Sequence, residues 1–376
     1  MDGMTNEPEA FDIAITGIGI VTPLGVGCSV NLERLLAGDS AVKNEIPAGV
    51  DACGAIDSAR CPDFDLSGLL RFPKSIKYMS RPVQLAMRAA IEAFESSRLQ
   101  RGQIDPYRMA MYTASGQTGL DYTDFYKAFD FAWSPEQEFD FRLLGGIPTK
   151  LIDPYFSLRT LGNGGIALLS TEFGAKGPSG NFVHSETAAA LALQAACVEI
   201  AEGRCDAAIV GGFDSLLHPT SLFALSEAGV LSGEAAHFGQ IVPAEGAAFF
   251  VIERRSDAVE RGADIFGEIL GIECSLEPPL RNGDQSSALR KLVRRLPRMC
   301  QSLPVVSSTT RATGYLGAAT AAVELALGLL SARQGLVPAV TDPTGIFLSQ
   351  SWSGQVAAIV ARACSAEGKV FGACAP

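Results

Sequence analysis

The residues best placed to do chemistry in this chain lie just after a turn at Gly177. The run GPSGNFVHSETAAALALQAACVEIAEG spans Gly177 to Gly203. It reads as a tight turn (Gly177–Gly180), a short extended stretch (Asn181–His184) and then an alanine-rich helix. A strand that stops at the start of a buried helix suits a nucleophile. The unpaired N–H groups and positive dipole end of the helix stabilise a thiolate or an oxyanion. The residue at this junction is Glu186, a far weaker nucleophile than cysteine. The local plan is that of an acyl-transfer site with a carboxylate where the sulfur would be. Glu186 reads as a buried acceptor for helix N–H groups, as an acceptor for a bond from a partner subunit, or as a general base. His184, two residues upstream, reads as a packing or hydrogen-bonding side chain before it reads as a base. His218 falls before a proline in a loop, and His237 in an irregular stretch.

The elements that would position this site alternate in kind. Ile13–Val21 is a near-continuous apolar run, a buried strand that ends in the turn Thr22–Gly25. A helix follows around Asn31–Ala37. Ser80–Leu99 has helical periodicity, with Ser80 as N-cap and Pro82 in the first turn. Arg108–Ala114, Asp206–Phe213, Ala247–Glu253, the stretch from Phe266 to Glu273, and Gln355–Ala361 read as strands. Gly317–Gly335 reads as a second Ala/Leu-rich helix. Strands alternating with buried helices predict a layered α/β protein.

Composition excludes several classes. The 376 residues are 47% hydrophobic and 19% charged, with 39 glycines and a net charge of −11. This acidic balance disfavours nucleic acid and anionic membranes as partners. No apolar run reaches the roughly 18 residues of a membrane span, and the acidic N-terminus does not read as a targeting peptide. Nine scattered cysteines without a CxxC pair point to reduced thiols and a cytoplasmic location. With three histidines in the chain, a histidine-built metal site is not expected, and no cofactor is implied. The basic stretch Arg290, Lys291, Arg294, Arg295 reads as a solvated helix face or as a contact for an acidic partner.

Several segments, in order, resemble the β-ketoacyl-acyl-carrier-protein synthase family of the thiolase superfamily. They are FDIAITGIGIVTPLGVG, MSRPVQLAMRAAIEAF, STEFGAKGPSG, CDAAIVGGFDS, PAEGAAFFVIERRSDAVERGADIFGEILG and SSTTRATGYLGAATAAVELALGLL. The resemblance implies a five-layered α/β/α/β/α sandwich of two similar halves, here 1–256 and a shortened 257–376, and a dimer. It also places the family's catalytic positions. The nucleophilic cysteine falls on Glu186, the lysine on Thr310 and one histidine on Tyr315. The other histidine, expected between Cys274 and Val306, has no counterpart. The gating loop before the last strand reads Ser351-Trp352-Ser353-Gly354. Condensation needs a thiolate to hold the acyl chain and imidazoles to polarise the extender carbonyl, and these positions supply neither.

Within the family, this pattern is similar to the chain-length factors of type II polyketide synthases. Those are non-catalytic subunits that heterodimerise with a catalytic ketosynthase. Many have glutamine at the nucleophile position, so Glu186 is a departure. The resemblance implies three partners: that ketosynthase, an acyl carrier protein and the growing polyketide or polyene chain. It implies that Leu120, Tyr122, Thr123, Phe125 and Tyr126 lie at the dimer interface or acyl tunnel, and that bulky side chains there limit chain length. It makes Arg290, Arg294 and Arg295 candidate carrier-protein contacts. Two alternatives stay open: a decarboxylase or hydrolase using Glu186 and His184, and a free-standing homodimeric acyl-binding protein.

Overall fold

All ten positions of strand β1 (Ile13–Thr22) are buried, so this strand needs apolar side chains on both faces. A computed structural model of the chain describes residues 11–45, 55–116, 126–133, 138–146, 149–183, 186–231, 241–276, 286–296, 309–334, 344–350 and 355–364. β1 turns tightly into β2 (Gly25–Val26), and helix α1 (Cys28–Leu36) follows. A small hairpin, β3 (Lys43–Glu45) with β4 (Ile56–Ser58), stands apart from the main sheet. Then come α2 (Arg81–Ser96) and β5 (Met109–Ser115). The short helices α3 (Tyr126–Ala132), α4 (Phe141–Gly145) and α5 (Phe156–Arg159) precede α6 (Gly164–Phe173). β6 (Ser179–Val183), α7 (Ala188–Ala201), β7 (Ala207–Ser215) and α8 (Pro219–Glu227) lead to β8 (Glu245–Arg254). The chain continues through α9 (Arg255–Glu260), β9 (Gly267–Leu276), α10 (Ser286–Val293), α11 (Thr310–Thr313), α12 (Thr320–Arg333), β10 (Thr344–Gln350) and β11 (Gln355–Ala363).

The sheet order is β10-β11-β9-β1-β8-β7-β5-β6, with β2 beside β1. Its two arms join through only three β1–β9 pairs, Ile13↔Ile269, Ala14↔Glu268 and Ile15↔Gly267. β5 runs parallel to both β6 and β7, and the other main pairings are antiparallel. α7 and α12 lie between the arms, and side chains from both arms meet them in one core cluster. α2 covers the outer face of β1, β7 and β8, and α10 covers β9 and β11. The result is the mixed α/β thiolase-like architecture, with helical layers outside and between the sheet's arms.

Close approach explains the small residues. A Cβ on Gly17 would stand 2.0 Å from the carbonyl oxygen of Ala93, and one on Gly19 equally close to that of Ala89. α2 therefore rests directly on the backbone of β1. Several buried charges are paired. Glu253 accepts from Thr16 Oγ1 at 2.5 Å and from Arg261 Nη2 at 2.6 Å. Such pairing offsets the several-kcal/mol cost of burying a charge.

The structure shifts some sequence boundaries. β6 starts at Ser179, so half of the expected Gly177–Gly180 turn is strand, paired in parallel with β5. The expected 317–335 helix begins as one 3-10 turn, Gly317–Ala319, before α12. Ser80 is the N-cap of α2, but its hydroxyl is buried without a hydrogen-bond partner.

Candidate functional site at the start of the buried helix

Glu186 sits one residue ahead of the N-cap, Thr187, of α7, where the sequence placed it. The C-terminal hairpin clasps this junction. Ser349 Oγ of β10 donates to the Glu186 carbonyl at 3.1 Å, and Thr187 Oγ1 donates to Gln355 Oε1 of β11 at 3.0 Å. The Glu186 side chain is buried, at 3% exposure, and its Oε2 has no hydrogen-bond partner among the described residues.

Tyr315 is carried in by the turn after α11. Its backbone N–H donates to the Val242 carbonyl at 2.7 Å, and its carbonyl accepts from Ala244 N at 3.0 Å. The position is therefore fixed from both sides by the chain entering β8. The phenol pKa is pushed well above the ordinary tyrosine value. Burial is the main cause, followed by the charge of Glu186, hydrogen bonding toward that carboxylate, and the charge of Asp214. Tyr315 thus stays a protonated donor facing Glu186.

Asp214, near the end of β7, completes the cluster. Burial pushes its carboxyl up to about 7, the Ala318 and Ser215 N–H bonds oppose that rise, and the charge of Glu186 adds to it. Its Oδ2 accepts from Ala318 N at 3.0 Å and its Oδ1 from Ser215 N at 2.8 Å. Sequence reasoning missed Asp214. The signal was an acid closing the apolar strand DAAIVGGF, at the point where the strand was expected to end.

Together, Glu186, Asp214 and Tyr315 make a dry site with two carboxylates and a phenol. These three side chains can hold a proton or donate a hydrogen bond, and none of them is a thiol or an imidazole. His218 is the one histidine among the described residues, and it is the N-cap residue of α8. The six described cysteines are free thiols, and burial raises each for which a shift is resolved, including Cys197 within α7. No group of three or more His, Cys, Asp or Glu able to hold a metal occurs among the described residues. No helix among them is long and apolar enough to cross a membrane.

The other predicted positions fall as follows. Thr310 opens α11, partly buried, five residues before Tyr315. On and just after α10, Leu292 and Leu296 turn inward while Arg290, Arg294 and Arg295 are exposed. Arg295 lowers the carboxyl of Glu273, which burial raises more strongly. Leu120, Tyr122, Thr123, Phe125, His184, His237 and Ser351–Gly354 lie outside the described residues. Tyr126 begins α3, but its side chain also lies outside them.

Comparison with known proteins agrees with this geometry. The "Beta-ketoacyl synthase, N-terminal domain" family model matches residues 10–258, more than half of the chain, and the chain belongs to that family. Over 279 residues it is 29% identical to a 3-oxoacyl-[acyl-carrier-protein] synthase 2 of Coxiella burnetii, covering 71% of this chain and 64% of the relative. Over 272 residues it is 28% identical to a putative polyketide beta-ketoacyl synthase 2 of Streptomyces halstedii, covering 68% and 61%. The matches thus span less than two thirds of the length of these relatives. Among solved structures, the ishigamide ketosynthase/chain length factor superposes with a TM-score of 0.74 at 17% identity, covering 95% of this chain and all of that one. A type II polyketide synthase ketosynthase, solved with its acyl-carrier protein and bound to the hexaketide, gives 0.72 at 19%, with the same coverage. At such identities the structural likeness speaks for the fold.

Proposed function

We propose that this chain is a non-catalytic ketosynthase-like subunit, a chain-length factor. It pairs with a catalytic ketosynthase, completes the acyl tunnel and limits the length of a polyketide or polyene chain. The observation that carries the reading is the buried carboxylate of Glu186 at the start of α7, faced by the Tyr315 phenol. A thioester cannot form on Glu186, and a phenol held protonated does not replace an imidazole that must exchange protons near neutral pH. Retaining the whole scaffold without its reactive groups favours a role in assembly and shape.

The edges of the fold support association. β6 closes the main sheet with one side unpaired among the described strands, and its Val183 is 49% exposed. The preceding segment, whose Gly162 carbonyl accepts from Asn181 of β6 at 2.8 Å, exposes Leu158 and Leu161. Apolar surface beside an open strand edge suits a large subunit interface, and obligate interfaces commonly bury more than about 2,000 Å². The carrier protein would dock mainly on the partner, with Arg290, Arg294 and Arg295 as this chain's basic exception.

The test is reconstitution. The chain alone, given acyl and malonyl carrier-protein thioesters, is expected to show no covalent acyl adduct by intact mass and no condensation. Co-expressed with a catalytic ketosynthase of a type II polyketide synthase, it is expected to form a 1:1 complex that makes a product of defined length. A stoichiometric adduct on this chain, or a monomer that ignores the ketosynthase on size-exclusion chromatography, would overturn the reading.

A further inference from the structure

Three backbone segments converge on the carboxylate of Asp214. It accepts the N–H of Ala318, in the 3-10 turn that follows Tyr315, and the N–H of Ser215 in its own strand. The two glycines beside it leave no room for a side chain. A Cβ on Gly116, the residue after β5, would stand 2.1 Å from Asp214 Oδ2, and one on Gly317 would stand 2.1 Å from the same atom. Gly116 is where the chain leaves β5 for residues 117–125, and Gly317 lies two residues beyond Tyr315. The Asp214 carboxylate, at the end of β7, thus fills the space between two segments from different halves of the chain.

We propose that Asp214 is a positioning residue that pins the exit of β5 at Gly116 and the turn after Tyr315 to the end of β7, and so fixes the point from which the chain departs toward Leu120–Tyr126. This rests on the chain-length reading for its functional consequence, but not for its structural one. Asp214 touches no reacting group. It acts through Gly116 and the Gly317–Ala318 turn.

The pin is sensitive to protonation. The ionisable groups that face Asp214 are Glu186 from the start of α7 and Tyr315 from the turn before α12. From β8, Glu245 reaches it indirectly: Ser215 Oγ donates to Glu245 Oε2 at 3.1 Å, and Arg81 Nη2 of α2 holds Glu245 Oε1 at 2.9 Å. From the exit of β5 and the 3-10 turn, Gly116, Gly317 and the Ala318 N–H stand beside it. Glu245 has its own cation, whereas Glu186 has no salt bridge among the described residues. Ionisation strengthens the two N–H bonds but places a charge in a buried site beside Glu186, and the cost of burying that charge is the larger effect, so the site opens more readily as pH rises.

The experiment compares the wild type with Asp214→Asn and Asp214→Ala, by hydrogen exchange of the chain and by product analysis of the reconstituted complex. In Asp214→Ala, peptides through Gly116 and through Gly314–Thr320 are expected to lose protection together, while α2 peptides keep theirs. In the wild type, the same two regions lose protection between pH 5.5 and 8 after correction for intrinsic exchange, and in Asp214→Asn this pH dependence disappears. In the complex, Asp214→Ala spreads the product over several lengths, at the expense of the main one. If only one region responds, or the wild type and Asp214→Asn share one pH profile, the pin is refuted. If Asp214→Ala does not fold, the pH comparison with Asp214→Asn decides. A wild-type complex that makes no product counts against the chain-length reading alone, and the exchange data still judge the pin.

Discussion

Gly317→Ala, set against Gly174→Ala, isolates what contact with Asp214 contributes to stability. Both glycines have left-handed backbones, with φ of +53° and +72°. An alanine Cβ in that region costs roughly 1–2 kcal/mol. Gly174 is the C-cap of α6, and a Cβ there meets nothing within 4 Å, so it should incur that strain alone. At Gly317 the Cβ would overlap Asp214 Oδ2 and displace it from Ala318 N. A buried N–H left without its acceptor costs about 1–3 kcal/mol more. Unfolding entropy of roughly 2.1 cal/mol/K per residue gives about 0.8 kcal/mol/K for this chain. The expected Tm losses are therefore roughly 1–3 °C for Gly174→Ala and roughly 3–6 °C for Gly317→Ala. The assay is thermal unfolding followed by circular dichroism, repeated in an Asp214→Ala background. There the overlap is gone, so Gly317→Ala should fall back to the cost of backbone strain alone. Equal losses at the two glycines, or a Gly317 effect that adds to Asp214→Ala without coupling, would refute the argument.

Other outcomes follow from the same geometry. The Asp214 carboxyl is raised to about 7 in the folded chain from the ordinary 3.8. Its stabilisation is full below the unfolded value and is lost as pH rises through the folded one. From pH 5.5 to 8 the wild type should lose about 2 kcal/mol, or roughly 2–3 °C in Tm, relative to Asp214→Asn; parallel curves would contradict this. Glu186→Cys should gain no condensation activity under the proposed function, because Tyr315 occupies the position that the family resemblance assigns to an imidazole, and appreciable turnover by that single variant would show otherwise. Val183→Lys on the open edge of β6 should weaken the complex with the ketosynthase by at least about tenfold. It should shift the stability of the chain alone by no more than about 0.5 kcal/mol, and titration calorimetry alongside thermal unfolding separates the two effects. Under the proposed function, truncating a bulky side chain after Gly119 deletes volume rather than chemistry, so at least one of Leu120→Ala, Tyr122→Ala or Tyr126→Ala should lengthen the product. Three variants that assemble normally and leave the product unchanged would place the floor elsewhere.

Much of the site could be read along the chain, because its informative features are local. The apolar runs at Ile13–Val21 and Ala247–Glu253 are strands on both readings, since continuous burial demands continuous apolar side chains. Glu186 could be placed at the junction of the strand and the helix after Gly177, and Tyr315 through the family resemblance of its own segment. The strand β10 was missed because its apolar run, Ile346–Leu348, is short, and it is held by register with β11, from Gly345↔Ala361 to Ser349↔Ala357. The start of β6 was missed because Ser179 and Gly180 look like turn residues until parallel pairing with Met111 and Tyr112 makes them strand. Sequence alone therefore determined which residues stand at positions such as 186 and 315, since residue identity is read within single segments. Only the tertiary structure decided what surrounds them. The Asp214 contact with Ala318 joins residues 104 positions apart. Such contacts depend on the order of strands in the sheet and on two helices packed between its arms, and no local periodicity encodes either.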